Sequence, residues 1–274
     1  MEKIQSAIAK ARATRSAAQI APESRPTPDT MRNTTPDTVA AHWAALPSFE
    51  PATAHLAQSH IVAGVRGHEA APFDLMRTRL LQQMRANNWR RVGITSPGSG
   101  CGKSTIALNL AMGLARQPEL RIVLAEMDLR RPSLPGMLGM RDRQQNFSRV
   151  LEGLDPFSAQ AVRIGDNLAI STCHTPHRYS AELLHSPTVG EVLDRIEADY
   201  DPSILIFDLP PMLGSDDVMA AAGRLDCVLI IAAAESTRIK EIDRCERELA
   251  TQTNILGVVL NKCRYVEEEN YDYY

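Results

Sequence analysis

Residues 91–105 read RVGITSPGSGCGKST, and this stretch decides the fold. The apolar run Val92–Thr95 predicts a short β-strand, and the stretch from Thr105 to Arg116, rich in Ala and Leu, predicts a helix. A strand that leads through a glycine-rich loop into Gly-Lys-Ser and then a helix is the arrangement of a phosphate-binding loop. The sequence therefore predicts a nucleotide-phosphate site here.

Each part of this loop has a predicted task. Backbone N–H groups of residues 98–102 can point at phosphate oxygens, and the following helix directs its positive end to the same place. We expect Lys103 to reach the terminal phosphates and the Ser104 hydroxyl to bind Mg²⁺. The strict loop pattern would begin with a glycine at the position occupied by Pro97.

Acidic residues follow two further apolar runs. Glu126 and Asp128 come after residues 122–125, and Asp208 comes after residues 204–207. Mg²⁺ prefers oxygen ligands and retains several waters, so the hydroxyl, the phosphates and one or two carboxylates suffice to hold it. These strand ends favour a site for ATP and Mg²⁺.

The order of apolar runs and helical patterns predicts an α/β fold. It is P-loop NTPase-like, with a largely parallel sheet and helices on both faces. Ligands of such sheets bind beyond the carboxyl ends of the strands, where the phosphate loop falls. The strands are predicted at Val92–Thr95, Ile122–Ala125, Leu168–Thr172, Ile204–Phe207, Val228–Ala232 and Ile255–Leu260, and the helices at 72–88, 105–116, 188–198 and 240–251.

Four regions are predicted along the chain. Residues 1–15 have the pattern of a short amphipathic helix. Residues 16–60 hold six of the 17 prolines, which predicts a flexible linker with a brief helical piece near Val39–Ala45. The P-loop domain is predicted at 61–263, and the acidic, tyrosine-rich tail at 264–274.

Bulk composition excludes several classes of protein. A net charge of −3 argues against a nucleic-acid-binding protein that relies on a general basic field. The five cysteines have no paired spacing, so neither a disulfide framework nor a zinc site is indicated, and a reducing cytoplasm is expected. No apolar run is long enough to span a membrane.

In combination, five motifs resemble the bacterial tyrosine kinases (BY-kinases) of capsule and exopolysaccharide synthesis. The resemblance covers roughly residues 72–274. The motifs are the phosphate loop at 95–105, Glu-Met-Asp-Leu-Arg-Arg-Pro at 126–132, Ser-Ala-Glu-Leu-Leu-His-Ser at 180–186, Ile-Phe-Asp-Leu-Pro-Pro at 206–211, and Gly-Val-Val-Leu-Asn at 257–261.

The resemblance implies specific site residues. Glu126 stands where the family usually has Asp, the proposed base for the tyrosine hydroxyl, so the carboxylate is kept on a longer arm. Asn261 matches an asparagine that reads the adenine edge in related ATPases. The implied catalytic residues are Lys103, Glu126, Asp128 and Asp208; the metal ligands are Ser104, Asp128 and Asp208; and the nucleotide-binding residues are Gly98, Ser99, Gly100, Cys101, Gly102, Lys103, Ser104, Thr105 and Asn261.

The resemblance also implies assembly into rings through the helix before the phosphate loop. The family has the pattern Glu-x-x-Arg-x-x-Arg there. Asp74 and Arg77 match the acid and the first arginine of this pattern. The second arginine would fall at position 80, which is Leu80, and the nearest arginine is Arg79. A homo-oligomer is expected.

Four of the six tyrosines lie in the tail, at Tyr265, Tyr271, Tyr273 and Tyr274. A phosphotyrosine carries nearly two negative charges, so several in one acidic tail would repel it from an acidic site or neighbour. The tail is therefore predicted to be the phosphoacceptor and a charge-driven switch.

These expectations combine into an ATP-dependent protein-tyrosine autokinase that regulates exopolysaccharide synthesis and export. The resemblance implies a membrane-anchored polysaccharide co-polymerase as activator, a tyrosine phosphatase as a second partner, and a cytoplasmic location at the membrane through a partner. Two alternatives stay open. One is a spatial-regulation ATPase, although such ATPases have a signature lysine where this chain has Gly98. The other is a nucleotide-dependent scaffold for polysaccharide assembly with a weakened kinase site, an alternative that rests on Glu126 standing in place of the usual Asp.

Overall fold

A seven-stranded sheet forms the centre of the protein. The computed structural model describes residues 35–63, 69–140 and 144–263. The strands lie in the order β3-β4-β2-β5-β1-β6-β7, and all neighbours are parallel except β3 and β4. The predicted parallel sheet is thus confirmed. The strands are β1 (Arg91–Ser96), β2 (Ile122–Glu126), β3 (Ala161–Ile164), β4 (Leu168–Ser171), β5 (Ile204–Pro211), β6 (Cys227–Ala233) and β7 (Asn254–Asn261).

Helices cover both faces of this sheet, as predicted. They are α1 (Pro36–Ala45), α2 (Thr53–Gln58), α3 (Ala71–Ala86), α4 (Lys103–Leu114), α5 (Leu134–Leu138), α6 (Phe147–Leu151), α7 (Ser180–His185), α8 (Pro187–Tyr200), α9 (Asp217–Ala222) and α10 (Ile239–Leu249), with short 3₁₀ turns at Phe157–Ala159 and Met212–Gly214. Within the described ranges, no helix has the length and apolar character needed to cross a membrane.

The central strands are apolar throughout because both of their faces are covered. Side chains along a strand point alternately to opposite faces. In β2, Val123 and Ala125 therefore pack into the core under α8, whereas Ile122 and Leu124 pack into the core under α4. The apolar sides of helices cover both cores. Every residue of a central strand therefore faces a core, and the strand sequences are continuously apolar rather than alternating between apolar and polar residues.

Helix α8 shows how the sequence sets an element's limits. The Ser186 side chain accepts a hydrogen bond from the Thr188 N–H, and Pro187 occupies the first turn, where its missing N–H costs nothing. The helix ends at Asp201, whose φ of 38° lies in the left-handed region. Between these ends, Val189, Val192, Leu193, Ile196 and Tyr200 are buried on one side.

The predicted linker at 16–60 is packed into the fold in its described part rather than flexible, and the helical piece expected near 39–45 is present. Residues 36–45 form α1, whose Val39 and Trp43 are buried in the core beside α8. The next residues run along the outer edge of β3, where Arg163 N donates to Pro47 O and Phe49 N donates to Arg163 O. The folded region therefore begins well before residue 61. Proline marks the start of a helix and an edge segment here, roles that its frequency alone does not reveal.

Two predicted regions lie outside the described residues: the amphipathic helix at 1–15 and the tail at 264–274. The same holds for residues 16–34 of the predicted linker.

Candidate functional site

The site residues meet at the carboxyl ends of three neighbouring strands. Strand β5 lies between β1 and β2, and the register places Asp208 beside Ile94 on one side and Glu126 on the other. Lys103 follows β1 through the glycine loop, and Asp128 follows β2. Three segments that are distant in sequence thus bring their polar side chains to one edge, as the parallel sheet predicts.

The loop itself requires glycine at two positions. Gly100 and Gly102 have φ values of 76° and 92°, which side chains of L-residues rarely adopt. Gly102 immediately precedes α4, so Lys103 is the first residue of that helix. Residues 98–100 are exposed at the mouth of the site, whereas Cys101 is buried and its Sγ donates to the carbonyl of Gly98 at 3.3 Å.

Lys103 is held between two carboxylates. Its Nζ lies 2.9 Å from Asp128 Oδ2 and 3.9 Å from Asp208 Oδ1. Burial on its own would lower the pKa of Lys103, but the negative charges of Asp208 and Asp128 outweigh it and raise the pKa above its usual value. The ammonium group is therefore charged and positioned beside the loop, ready to exchange carboxylate partners for phosphate oxygens.

Asp208 carries a buried carboxylate that fits a hydrated cation. Its side chain is fully buried, and neither of its oxygens makes a well-formed hydrogen bond among the described residues, although the nearby Ser104 hydroxyl favours the charged carboxylate. Burial raises its pKa to about 6, although Lys103 opposes the shift. Such orphaned carboxylate oxygens need a partner, and Mg²⁺ with its bound waters supplies one. Together with Ser104 and Asp128, Asp208 forms an all-oxygen donor set suited to Mg²⁺ with ATP.

Ser133 is a site residue that the sequence motifs did not indicate. Its Oγ lies 3.0 Å from Ser104 Oγ, to which it donates, and Lys103 Nζ lies 3.4 Å from the same Ser104 oxygen. Ser133 directly precedes α5, an element of five residues that the sequence analysis did not predict. A contact between two serines in separate loops has no local sequence signal.

Glu126 is surrounded by backbone donors. Its Oε1 accepts from the N–H groups of Ser133 and Leu134, and its Oε2 accepts from the N–H of Cys173. Burial raises its pKa to about 8, although these hydrogen bonds favour the ionised form. The carboxylate is therefore engaged by the protein on both oxygens, in contrast to that of Asp208.

Asn261 reaches the site from the end of β7. Its Nδ2 donates to Cys101 O at 2.9 Å, which fastens the edge strand to the phosphate loop. The predicted contact of Asn261 with adenine remains a prediction. Ser99 is exposed and Thr105 is half-buried at the start of α4, and their predicted phosphate contacts likewise stay predictions.

On the ring-forming helix, Arg77 makes contacts within its own chain. It pairs with Asp74 at 2.9 Å and donates to Gly113 O at 3.3 Å, and Arg116 also lies 3.3 Å from Asp74. Arg79 is exposed. Assembly through this helix stays a prediction. The four predicted phosphoacceptor tyrosines belong to the tail and lie outside the described residues.

Comparison with known proteins gives a family and named relatives. The ParA family model, described as NUBPL iron-transfer P-loop NTPase, matches residues 89–273. Tyrosine-protein kinase YwqD of Bacillus subtilis is 28% identical over 186 residues, which covers 68% of this chain and 77% of that protein. EpsB of Ralstonia nicotianae is 30% identical over 190 residues, which covers 68% of this chain. EpsB is provisionally described as a tyrosine-protein kinase. Iron–sulfur cluster assembly and carrier proteins also match, at 27 to 29% identity.

The solved structures agree on the fold. The kinase domain of Escherichia coli tyrosine kinase ETK superposes with a TM-score of 0.68 at 22% identity, covering 78% of this chain and 84% of that one. The chain spans 24% of the length of EpsB, so it corresponds to one part of that relative. The resemblance to the bacterial tyrosine kinases inferred from the motifs is confirmed by these matches.

Proposed function

The chain belongs to the ParA family of P-loop NTPases, and we propose that it is an ATP-dependent protein-tyrosine kinase that phosphorylates its own C-terminal tail. The observation that carries this proposal is the placement of Lys103 between Asp128 and Asp208 at the phosphate loop. Relatives named tyrosine-protein kinase share this part of the chain, which favours phosphoryl transfer over hydrolysis alone.

The proposed reaction moves the γ-phosphoryl group of ATP to a tyrosine oxygen. The bond from the γ-phosphorus to the β–γ bridging oxygen breaks, a bond to the tyrosine oxygen forms, and the hydroxyl proton passes to a base, leaving ADP and phosphotyrosine. Bound Mg²⁺ supplies neutralisation of the phosphate charge. Positioning and charge neutralisation carry most of this chemistry, since the transition state is loose.

The chain's own residues supply the remaining parts. Backbone N–H groups of residues 98–102 bind the phosphates, and Lys103 leaves Asp128 to pair with them. Ser104, Asp128 and Asp208 would hold the metal. The family resemblance would assign the base to Glu126. Asp128, whose Oδ2 is freed when Lys103 turns to the phosphates, is the other carboxylate at this edge of the sheet that can accept the proton.

The tail supplies the proposed substrate and the proposed regulation. It carries Glu267, Glu268, Glu269 and Asp272 among its tyrosines, so each added phosphate increases a charge that is already negative. An unmodified tail enters the site of a second copy, and a phosphorylated tail is repelled from the carboxylates there. The proposal includes two partners: a membrane-anchored protein that activates the kinase and a phosphatase that removes phosphate from the tail. The phosphorylation state of the tail would then control exopolysaccharide synthesis.

Mass spectrometry after incubation with Mg-ATP tests this function. Lys103→Ala should lower tyrosine phosphorylation by at least about 100-fold, since one group that stabilises transferred charge contributes about that much. The matched control is Lys240→Ala on an exposed position of α10, which should behave as the unmodified chain. Undiminished phosphorylation in Lys103→Ala would remove this site from the proposal.

A second set of variants tests the acceptor. Replacing Tyr265, Tyr271, Tyr273 and Tyr274 by Phe should remove most of the phosphate, whereas Tyr179→Phe, at an exposed tyrosine outside the tail, should not. Phosphate found mainly on Tyr179 would contradict the tail as substrate. The reactions are run with and without the cytoplasmic segment of a candidate activator.

A plain ATPase is the second candidate, and the geometry of Glu126 favours it. A carboxylate engaged by three backbone N–H groups is poorly placed to receive a tyrosine proton. ATP hydrolysis without phosphotyrosine, even with activator, would support this candidate.

An iron–sulfur carrier fits the chain less well. Cluster ligands are thiolates. Four of the five cysteines are buried at positions scattered along the chain, and Cys263 is the one exposed thiol, so the cysteines do not form a shared surface site for a cluster.

A further inference from the structure

Glu126 ties together three segments that surround the nucleotide site. It is the last residue of β2, and it is fully buried. Its carboxylate accepts from Ser133, which precedes α5, from Leu134, the first residue of α5, and from Cys173, which follows β4. One side chain thus accepts hydrogen bonds from three backbone N–H groups, of which those of Leu134 and Cys173 are buried.

This arrangement continues to the predicted Mg²⁺ ligand. With its backbone N–H bound to Glu126, Ser133 places its Oγ 3.0 Å from Ser104 Oγ. The Ser133 hydroxyl does not cap α5, so its contact with Ser104 is its recorded bond. An unbroken line of contacts therefore leads from Glu126 through Ser133 to the residue that would hold the metal.

Glu126 and Asp128 differ in how firmly their partners are fixed. Asp128 Oδ1 accepts from the Arg131 N–H, but its Oδ2 binds the flexible side chain of Lys103, which can turn to a phosphate and release that oxygen. The partners of Glu126 are peptide groups, so Glu126 could be released only if the start of α5 and the end of β4 moved together. A base must come within about 2.6–3.2 Å of the proton it accepts. Oε1 of Glu126 already accepts two hydrogen bonds and Oε2 accepts one, and the side chain is fully buried, so neither oxygen is exposed to an incoming hydroxyl.

We propose that Glu126 is a positioning residue of the nucleotide site, which holds Ser133 against Ser104, and that it does not receive the substrate proton. This inference rests on the proposed function for the identity of the substrate. The longer arm of Glu is then required for reach: Asp, one methylene shorter, cannot span the same three N–H groups. The Glu126→Asp variant accordingly has no gain in activity, in contrast to what a weakened kinase site would show.

The experiment measures Mg-ADP affinity by calorimetry alongside phosphorylation at saturating Mg-ATP. Glu126→Gln keeps an oxygen for Ser133 and Leu134 but turns an amide donor toward the Cys173 N–H. We expect Mg-ADP to bind about 3- to 10-fold more weakly, the effect of one hydrogen bond. Phosphorylation at saturating Mg-ATP should stay within about tenfold of that of the unmodified chain, whereas loss of a general base costs about 100- to 10,000-fold.

Ser133 provides the second arm. Ser133→Ala removes the hydroxyl and leaves the backbone N–H in place, so Mg-ADP affinity should fall about fivefold, while Ser133→Thr should restore it. In the double variant with Glu126→Gln, the second substitution should cost less than it does alone, because both act through one line of contacts. If Glu126 were purely structural, Ser133→Ala would lower the affinity by the same factor with and without Glu126→Gln. Glu119→Gln, an exposed glutamate before β2, is the matched control.

Two results overturn the proposal. One is Glu126→Gln with normal Mg-ADP affinity and phosphorylation reduced by 100-fold or more. The other is Ser133→Ala with unchanged Mg-ADP affinity, which decides the question even if the Glu126 variants do not fold. Failure of the proposed function is distinguishable, because it appears in the unmodified chain as Mg-ADP binding without any phosphotyrosine, and the affinity measurements still test Glu126.

Discussion

At the scale of one residue, Asp208 lowers the stability of the ligand-free protein and provides a group that binds the ligand. Its carboxylate is fully buried at the carboxyl end of β5 without a well-formed hydrogen bond among the described residues; the Ser104 hydroxyl is a nearby neighbour, and the Lys103 ammonium lies 3.9 Å away. Burying a charge without hydrogen bonds is unfavourable. Such a cost persists where the group is needed for binding, because bound ligand then offsets it.

We therefore predict that Asp208→Asn stabilises the chain in the absence of nucleotide. The free energy of unfolding at neutral pH should rise by about 1–3 kcal/mol, the cost of an uncompensated polar burial. Burial raises the pKa of Asp208 to about 6 from 3.8, so the folded state binds the proton more tightly than the unfolded state. The penalty of the charge is full above pH 6 and fades as pH falls toward 4. The stability advantage of the variant should shrink over the same range.

Thermal unfolding at pH 7.5 and pH 5, with and without Mg-ADP, measures this effect. Asp243→Asn, at an exposed position of α10, is the control and should change little at either pH. Mg-ADP should stabilise the Asp208 variant less than it stabilises the unmodified chain. A variant less stable than the unmodified chain at pH 7.5 without ligand would show that the carboxylate is well solvated or paired, and the prediction would fail.

At the scale of an element, the phosphate loop depends on a strand far away in sequence. A Cβ on Gly102 would lie 2.3 Å from the Nδ2 of Asn261, closer than any real contact. The same Asn261 nitrogen donates to Cys101 O, across a sequence separation of 160 residues. The glycine spacing predicts the loop, but it cannot predict that β7 packs so closely against it.

Gly102→Ala is expected to disrupt this junction. The residue has a φ of 92°, and an L-residue in the left-handed region costs about 1–2 kcal/mol even without a clash. Displacement of Asn261 adds to that, so we expect the free energy of unfolding to fall by at least about 2 kcal/mol and Mg-ADP affinity by at least about tenfold. Urea denaturation and calorimetry measure the two quantities.

Gly136→Ala is the matched control for this prediction. Gly136 lies in α5, and a Cβ there would meet no atom within 4 Å. Alanine in a helix interior is favourable by about 0.5–1 kcal/mol relative to glycine, so its stability should be unchanged or slightly higher. If Gly102→Ala behaved like this control, the close approach of Asn261 would not constrain the loop.

How much of each element the sequence predicts depends on its length. The six predicted strands and four predicted helices are all present, because each presents a continuous apolar run or at least three helical turns. Helices α5, α6, α7 and α9 have five or six residues, too few to show a helical period. Strand β3 has four residues, including Arg163, and pairs antiparallel at the sheet edge, so it lacks the apolar run of a central strand. Pairwise contacts such as Ser133 with Ser104 leave no local pattern at all.

At the scale of the whole molecule, the segment before residue 61 closes the core rather than linking it to something else. Helix α1 packs against α8, and residues 47–49 pair with the outer edge of β3. An unpaired sheet edge is a site of unwanted association, and this segment covers part of that edge. The proline-rich composition predicted a linker because composition averages over positions. Pro36, in the first turn of α1, is instead an ordinary helix start.

Trp43 tests whether this segment is integral to the fold. It is buried in the core, its Nε1 donates to Tyr200 O at 2.8 Å, and its ring meets that of Tyr200 edge-on at 6.1 Å. Trp43→Ala should lower the free energy of unfolding by about 3–5 kcal/mol, the usual cost of removing a buried aromatic ring. Trp43→Phe keeps an aromatic ring and loses the N–H, so it should cost about 1–2 kcal/mol. Urea denaturation followed by circular dichroism measures both, and Trp43→Ala within about 0.5 kcal/mol of the unmodified chain, the range of an ordinary surface substitution, would restore the linker prediction. The relative cost of the two variants is informative as well. If the segment is held mainly by packing of the ring, Trp43→Ala lowers the free energy of unfolding much more than Trp43→Phe does. If it is held mainly by the indole N–H, the two variants lower it equally.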